Sequence, residues 1–192
     1  MPSPLKIFGI SGSLRKGSFN RMLLRTAQQL TPEDAKLESY ERLGEIPPFN
    51  QDEESSPPPV VVDLKHQIRG SDAILIVTPE YNYSVPGVLK NAIDWASRPY
   101  GDSAWKNKPV AIMGASPGIL GSARAQYHLR QMFVFLDMYA VNQPEVMIAQ
   151  ANQRFDREGN LTDETSKKLI RQLLERLVSL AHQVAAREAV AK

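Results

Sequence analysis

The 192-residue sequence contains no cysteine, which excludes disulfides, thiol nucleophiles and cysteine-ligated metals. Histidine is nearly as scarce. His66, His128 and His182 are the only three, and they stand far apart without ligand spacing, so no metal site is expected. Neither sign of charge dominates, with 23 Lys and Arg against 21 Asp and Glu and a net charge of +2. No nucleic-acid surface or charged tail follows from such a balance. No apolar run approaches the ~18 residues needed to cross a membrane. The first apolar stretch is broken by Lys6 and is too short for a signal peptide, so the expected compartment is the cytoplasm. No internal repeat or interdomain linker is visible. A hydrophobic content of 42% is enough for a core, and at this length one domain spanning 1–192 is expected, since domains run ~100–200 residues.

The spacing of apolar residues alternates between two kinds of element. Leu5 to Ile10 reads as a buried strand, and Arg21 to Leu30 as a helix with Met22, Leu23, Ala27 and Leu30 on one face. Lys36 to Tyr40 is a weak second strand, followed by a loop rich in proline and acid over 46–59. A helix then buries Val61, Leu64 and Ile68 and is capped at Gly70. Asp72 to Thr78 contains Ala-Ile-Leu-Ile-Val, an unalternating run typical of a strand buried on both faces. A third helix starts near Pro86, a fourth strand spans Pro109 to Ala115, and a fourth helix runs from about Ser122 to Met138. Tyr139 to Ala149, interrupted by Pro144, supplies a fifth strand, and a long helix follows Thr162. Five strands alternating with five helices predict an α/β fold, a doubly wound five-stranded parallel sheet with right-handed crossovers. Ligands of such sheets bind outside the carboxyl ends of the strands, at the switch point.

Three loops would gather there. The first, Gly12-Ser13-Leu14-Arg15-Lys16-Gly17-Ser18-Phe19-Asn20, joins a strand to a helix N-terminus, where unpaired N–H groups and the helix dipole favour an anion. Ser11, Ser13, Ser18 and Asn20 add hydrogen-bonding groups, and Arg15 adds a fork-shaped cation. The Gly12-x-x-x-x-Gly17 spacing is that of a P-loop, but Ser18-Phe19 stands where Lys-Ser/Thr is required. The dinucleotide fingerprint is absent as well. A terminal monophosphate fits what remains; an ordinary turn with Ser18 as N-cap stays open as the plainer alternative. The second loop, Pro79 to Val85, carries Tyr81, Asn82 and Tyr83 at its tip, flat amphipathic groups that suit a planar heteroaromatic ring. Packing of these tyrosines on the rim is the alternative. The third, Ser116-Pro117-Gly118, brings small residues and a helix N-terminus whose amides are expected to face ring oxygens, a plain glycine-rich turn being the alternative.

A monophosphate site beside a ring site describes FMN, and the chain resembles the NAD(P)H-dependent FMN reductase family of flavodoxin-like proteins. Within it, the chain is most similar to the bacterial branch described as quinone and chromate reductases. Three stretches carry the resemblance: Gly12 to Asn20, then Pro79 to Gly87 with Leu89-Lys90-Asn91-Ala92-Ile93-Asp94-Trp95, then Ala123-Arg124 with Gln126 to Gln131. It implies that Ser13, Arg15, Ser18, Phe19 and Asn20 hold the FMN phosphate, with Ser11 nearby. It implies too that Glu80, Tyr81, Asn82 and Tyr83 line the isoalloxazine, with Ser116 and Gly118 at its other edge. Leu14, Lys16, Gly17, Pro79 and Pro117 complete the expected cofactor-binding set. The family often has a Gly-Gly pair where this chain has Gly121-Ser122. On this reading NADPH or NADH is the electron donor, and a hydride passes through flavin N5 to a quinone, a flavin, an azo compound or an oxidised anion such as chromate. No protein side chain is expected to act as catalyst. The competing readings are a flavodoxin-type electron carrier, disfavoured by Arg15 and a calculated pI near 8.8, and a non-catalytic interaction module on the same fold.

The fourth helix carries two apolar stripes. Ala125, Leu129, Met132, Phe133 and Leu136 suffice to cover the sheet, while Tyr127, Val134 and Met138, with Gln131, make a second stripe. A second apolar face usually marks a partner, so a homo-oligomer is expected, with Arg124 and Tyr127 reaching Glu145 across a symmetric interface. Cover by the last helix of the same chain is the alternative. The resemblance implies a dimer or tetramer, a homotetramer being the fuller assembly.

Overall fold

A computed structural model describes residues 3–190; Met1, Pro2, Ala191 and Lys192, part of the expected 1–192 domain, lie outside them. The elements in chain order are β1 (Leu5–Ser11), α1 (Phe19–Gln29), β2 (Ala35–Tyr40), α2 (Pro59–Arg69), β3 (Ala73–Val77) and α3 (Gly87–Ala96), then β4 (Pro109–Ala115), α4 (Ala123–Leu136), β5 (Tyr139–Ala140), β6 (Val146–Ile148) and α5 (Glu164–Val190). The strands pair in parallel in the order β2-β1-β3-β4-β5, the flavodoxin-like doubly wound sheet. β3 is buried at every position, as its unalternating apolar run requires between two helical layers.

Two cores flank the sheet. On one face Phe8, Ile10, Ile74 and Ile76 pack with residues of α2, α3 and α4, among them Leu64, Leu89 and Phe133. On the other, Ile7, Leu75, Val77 and Met113 pack with Leu23 and Leu24 of α1 and with Leu173 and Leu177 of α5. Each fully buried Leu, Ile or Val of this kind contributes about 1.5–3 kcal/mol. The chain turns from β1 outward to β2 and back to β3, so strand order reverses between β1 and β3. That is where a ligand of such a sheet sits. The proline-rich loop is tied to α3, because Asn91 Nδ2 and Trp95 Nε1 each donate to the Pro47 carbonyl at 2.8 Å.

Three elements differ from the sequence expectation. Tyr139–Ala149 is not one strand: β5 pairs with the start of β4 at Pro109 and β6 with its end at Met113. Pro144, which has no N–H to give the ladder, falls in the gap. α1 starts at Phe19 rather than Arg21, because the Ser18 hydroxyl accepts the Asn20 N–H at 3.2 Å and caps the helix there. α4 ends at Leu136. Asp137 turns left-handed at φ 56°, which swings Met138 into the core beside Phe133 and removes it from the second stripe.

Candidate active site

The loops after β1, β3 and β4 lie side by side because the strand ends are in register, Ser11 beside Val77 and Val77 beside Met113. In the first loop, α1 has no carboxylate in its first turn, so its positive end is not neutralised from within. The backbone N–H groups of Lys16, Gly17 and Phe19 have no hydrogen-bond partner among the described residues. Arg15 stands 5.9 Å from the Phe19 ring centroid, and the Ser13 and Tyr81 hydroxyls are 3.5 Å apart. Ser13, Arg15, Ser18, Phe19, Tyr81 and Pro117 are among the residues that bound a cavity of about 260 Å³, whose lining does not include Lys16 or Gly17. Free N–H donors at a helix N-terminus, hydroxyls and a guanidinium fit a phosphate monoester dianion.

Asn20 does not take part in the way its sequence position suggests. Its Nδ2 donates to the Ala115 carbonyl and its Oδ1 accepts the Ala115 N–H, each at 2.9 Å. Both ends of the amide are engaged, so Asn20 lines the cavity while clamping the start of α1 to the end of β4. Ser11, Leu14 and Lys16 are displaced more fully: all three border a separate cleft. Alternation along β1 explains Ser11, whose side chain shares the α1 face with Leu5 and Ile7.

The second loop is a tight hairpin. Tyr81 and Ser84 exchange backbone hydrogen bonds at 3.1 and 3.0 Å, with Asn82 and Tyr83 left-handed at φ 49° and 67°. Asparagine tolerates that conformation and tyrosine does not, so the turn needs outside support. The Arg124 guanidinium provides it, 3.5 Å from the Tyr83 ring centroid, and so does the 2.9 Å contact between Ser84 Oγ and His128 Nδ1.

Glu80 borders both cavities, and its carboxylate oxygens are taken up by supporting contacts to α4. Its side chain is only 8% exposed and pairs with Arg124. It also accepts the N–H groups of Arg124 and Ala125 at 3.0 and 3.3 Å. Ser122, at the N-cap of α4, offers no side-chain cap, so Glu80 caps this helix from another loop. Hydrogen bonding to the carboxylate raises the Arg124 pKa above its ordinary value.

In the third loop the Ser116 N–H goes to the Ile148 carbonyl and the Gly118 N–H to Ser116 Oγ, both at 3.0 Å. The two amides expected to face a ring are therefore engaged. The next two, of Ile119 and Leu120, have no partner among the described residues. Close packing sets this loop. A Cβ on Gly114 would lie 1.9 Å from Ser122 Oγ, and one on Gly121, at φ +55°, would lie 2.5 Å from the Met147 carbonyl carbon. Ser122 takes the left-handed conformation at φ 69° without being glycine. A second cavity of about 470 Å³ opens here, bounded by Asn82, Tyr83, Ser116, Gly118, Ile119, Leu120 and Arg124. It shares Glu80 and Ser116 with the first, which suits a ligand with a phosphate at one end and a flat ring at the other.

Ile119, Leu120 and Arg124 are the site residues that the sequence reading missed. Two large apolar side chains on a loop tip were the available signal for the first pair. Arg124 was assigned to an interface, and Tyr127 and Glu145 with it. In the structure the Tyr127 hydroxyl and Glu145 Oε2 are 3.5 Å apart within one chain. No group of His, Asp or Glu among the described residues is arranged to hold a metal ion.

Comparison with known proteins follows the same lines. A family model described as NADPH-dependent FMN reductase matches residues 5–153. An NAD(P)H-dependent FMN reductase of Pseudomonas aeruginosa is 51% identical over 178 residues, covering 92% of this chain and 95% of that protein. A quinone reductase of Escherichia coli K12 is 44% identical, covering 85% of this chain and 88% of the other. The solved structure of FerB, a flavoenzyme NAD(P)H:(acceptor) oxidoreductase from Paracoccus denitrificans, superposes with a TM-score of 0.85 at 37% identity, covering 93% of this chain and 98% of that one.

Proposed function

The chain belongs to the NADPH-dependent FMN reductase family, and from that premise we propose that it reduces quinones with NADPH or NADH on an FMN held across the two joined cavities. The observation that carries this reading is their adjacency: a cavity lined by Arg15, Ser13 and Ser18 shares Glu80 and Ser116 with a second one lined by Tyr83, Ile119 and Leu120. FMN, when bound, would supply two-electron redox chemistry at N5 between the nicotinamide donor and the acceptor. The protein's part is position and electrostatics. Arg15, the Ser13 and Ser18 hydroxyls and the Phe19 N–H would hold the phosphate, and the Asn20 clamp ties the start of α1 to the end of β4 beside them. The unpaired amides of Ile119 and Leu120 donate to carbonyl oxygens of the ring, while Tyr83 and Ile119 keep water from its rim. Glu80 and Arg124 hold the Tyr81–Ser84 turn and the start of α4 in one arrangement.

The second cavity is lined by Tyr83, Ile119 and Leu120 together with Asn82, Ser116 and Arg124, a mixed wall that offers flat apolar surface and polar groups to more than one class of acceptor. We therefore extend the acceptor range to free flavins, azo compounds and chromate, and place the reaction in the cytoplasm with the reduced nicotinamide pool. The test is direct: the purified protein should be yellow, bleach anaerobically with NADPH or NADH, and regain colour with benzoquinone. A yellow protein indifferent to both nucleotides would be an electron carrier. A protein that FMN does not tint would end the proposal.

We also propose that the enzyme is a homo-oligomer, a dimer or tetramer, formed through α4. Val134 and Phe135 are 83% and 73% exposed and Tyr127 is half-exposed, so the second stripe persists with Phe135 in place of Met138. α5 packs in the core on the opposite face of the sheet and leaves this stripe uncovered. Light scattering tests it, and a mass of one 21.4 kDa chain at micromolar concentration would refute it.

A further inference from the structure

A second cleft, of about 230 Å³, lies on the other side of the first loop, between α1 and the carboxyl end of β2. It is no part of the flavin site. The two are separated by the loop itself, and Ser13 is the one residue that borders both. Its walls are unusually rich in donors. Lys16 and Arg25 line it, and neither has an ion-pair partner among the described residues. Arg21 lines it too, with Glu41 as counter-charge at 2.8 Å. Three cations against one carboxylate leave the cleft positive.

The floor of the cleft gives an independent indication. Ser11 is 9% exposed, and its hydroxyl finds no hydrogen-bond partner among the described residues. A buried polar group without a partner costs about 1–3 kcal/mol, so such groups are rare in folded proteins and call for an explanation. The alternation of β1 turns this hydroxyl toward α1, the side on which the cleft opens. Gln28, one turn along α1 from Arg25, adds a further polar group.

We propose that this cleft is a second anion site, which takes a phosphate group, and that Ser11, Lys16 and Arg25 hold it. An orphaned hydroxyl beneath unpaired cations matches a phosphate dianion, which accepts several hydrogen bonds at once. Two sources carry that chemistry: free phosphate, and the 2′-phosphate that distinguishes NADPH from NADH. The proposal rests on the reading that flavin fills the other cavity, so the probe is applied to FMN-saturated protein, with the flavin absorbance as a separate check on that reading.

Inorganic phosphate is titrated into this holoenzyme by calorimetry, against Arg25→Glu and Gln28→Glu, both at exposed positions of α1, the second also giving up the 3.4 Å bond from Gln28 Nε2 to the Leu37 carbonyl. Phosphate should bind the parent protein and bind each variant at least about tenfold more weakly, because Arg25→Glu reverses a charge in the cleft and Gln28→Glu adds a negative one. FMN affinity should be unchanged in both. Absence of phosphate binding to the holoenzyme, or binding that neither variant weakens, overturns the proposal. The KM ratio of NADPH to NADH then names the source. A selective rise for NADPH in Arg25→Glu assigns the cleft to the dinucleotide, and an unchanged ratio with weakened phosphate binding assigns it to the free anion.

Discussion

Replacing Glu80 by alanine tests the claim that this carboxylate supports α4. The side chain is 8% exposed, and it accepts two N–H groups from the first turn of α4, at 3.0 and 3.3 Å. Ser122 offers no substitute cap. The two bonds to the helix end are the cap itself, so they are one loss: about 1 kcal/mol for an ordinary cap, raised to about 1.5–3 kcal/mol because the acceptor is charged. The ion pair to Arg124 adds less than a fully buried pair would, because the arginine side chain is 36% exposed and water screens it. The expected total is about 3 kcal/mol. For a domain of this size each kcal/mol moves Tm by roughly 2–4 °C, so the apoprotein should melt roughly 6–12 °C lower by calorimetry. Working with apoprotein matters, since a residue that only touched the cofactor would lower the holoprotein alone. Tyr83→Ala is the control, because that exposed ring adds little to the core. An apo Glu80→Ala protein melting within about 2 °C of the parent would refute the support role.

Arg15→Ala should weaken FMN binding by about 1.5–3 kcal/mol, the scale of a charge-assisted hydrogen bond, in a fluorescence titration of apoprotein; unchanged affinity would show that the first loop holds no phosphate. Asn20→Ala would leave the buried N–H and carbonyl of Ala115 without their side-chain partner. It should therefore cost about 2–4 kcal/mol in denaturant unfolding, and a cost below about 1 kcal/mol would remove the clamp from the account. Tyr40 has its phenol pushed up to about 12 by burial first and by the nearby Asp63 carboxylate second. The folded state therefore holds the proton more tightly than the unfolded one. The stabilisation is complete below the unfolded value near 10 and is lost as pH rises through about 12. Tyr40→Phe should flatten the fall in Tm over that range, and an undiminished fall would assign it to other groups. Tyr83→Ala should alter KM for quinones or turnover while leaving Tm nearly unchanged, and a large loss of Tm with normal kinetics would make Tyr83 structural.

The parts of this site legible in the sequence are those governed by local chemistry. β3 could be read because five successive apolar residues suit a strand only when both faces are covered. The first loop could be read because a serine before a helix, with a nearby arginine, has the same meaning in most folds. For Asn20, Glu80 and Ser11 the sequence did not show the hydrogen-bond partners, because the role of such a polar side chain depends on groups distant in sequence. Asn20 finds Ala115, 95 residues on, and Glu80 finds the start of α4, 44 residues on. The Ser11 hydroxyl finds no partner among the described residues. Position in a motif shows that such a residue lies at the rim, but not which of its neighbours takes its hydrogen bonds. Met138 shows the same limit for an apolar residue. Helical spacing assigned it to the outer stripe, yet the left-handed turn at Asp137 ends the helix first and sends Met138 inward. Phe135, still helical, remains on the exposed side in its place. The oligomer proposal thus keeps its physical basis in an uncovered apolar face, although one of the residues that first suggested that face lies in the core.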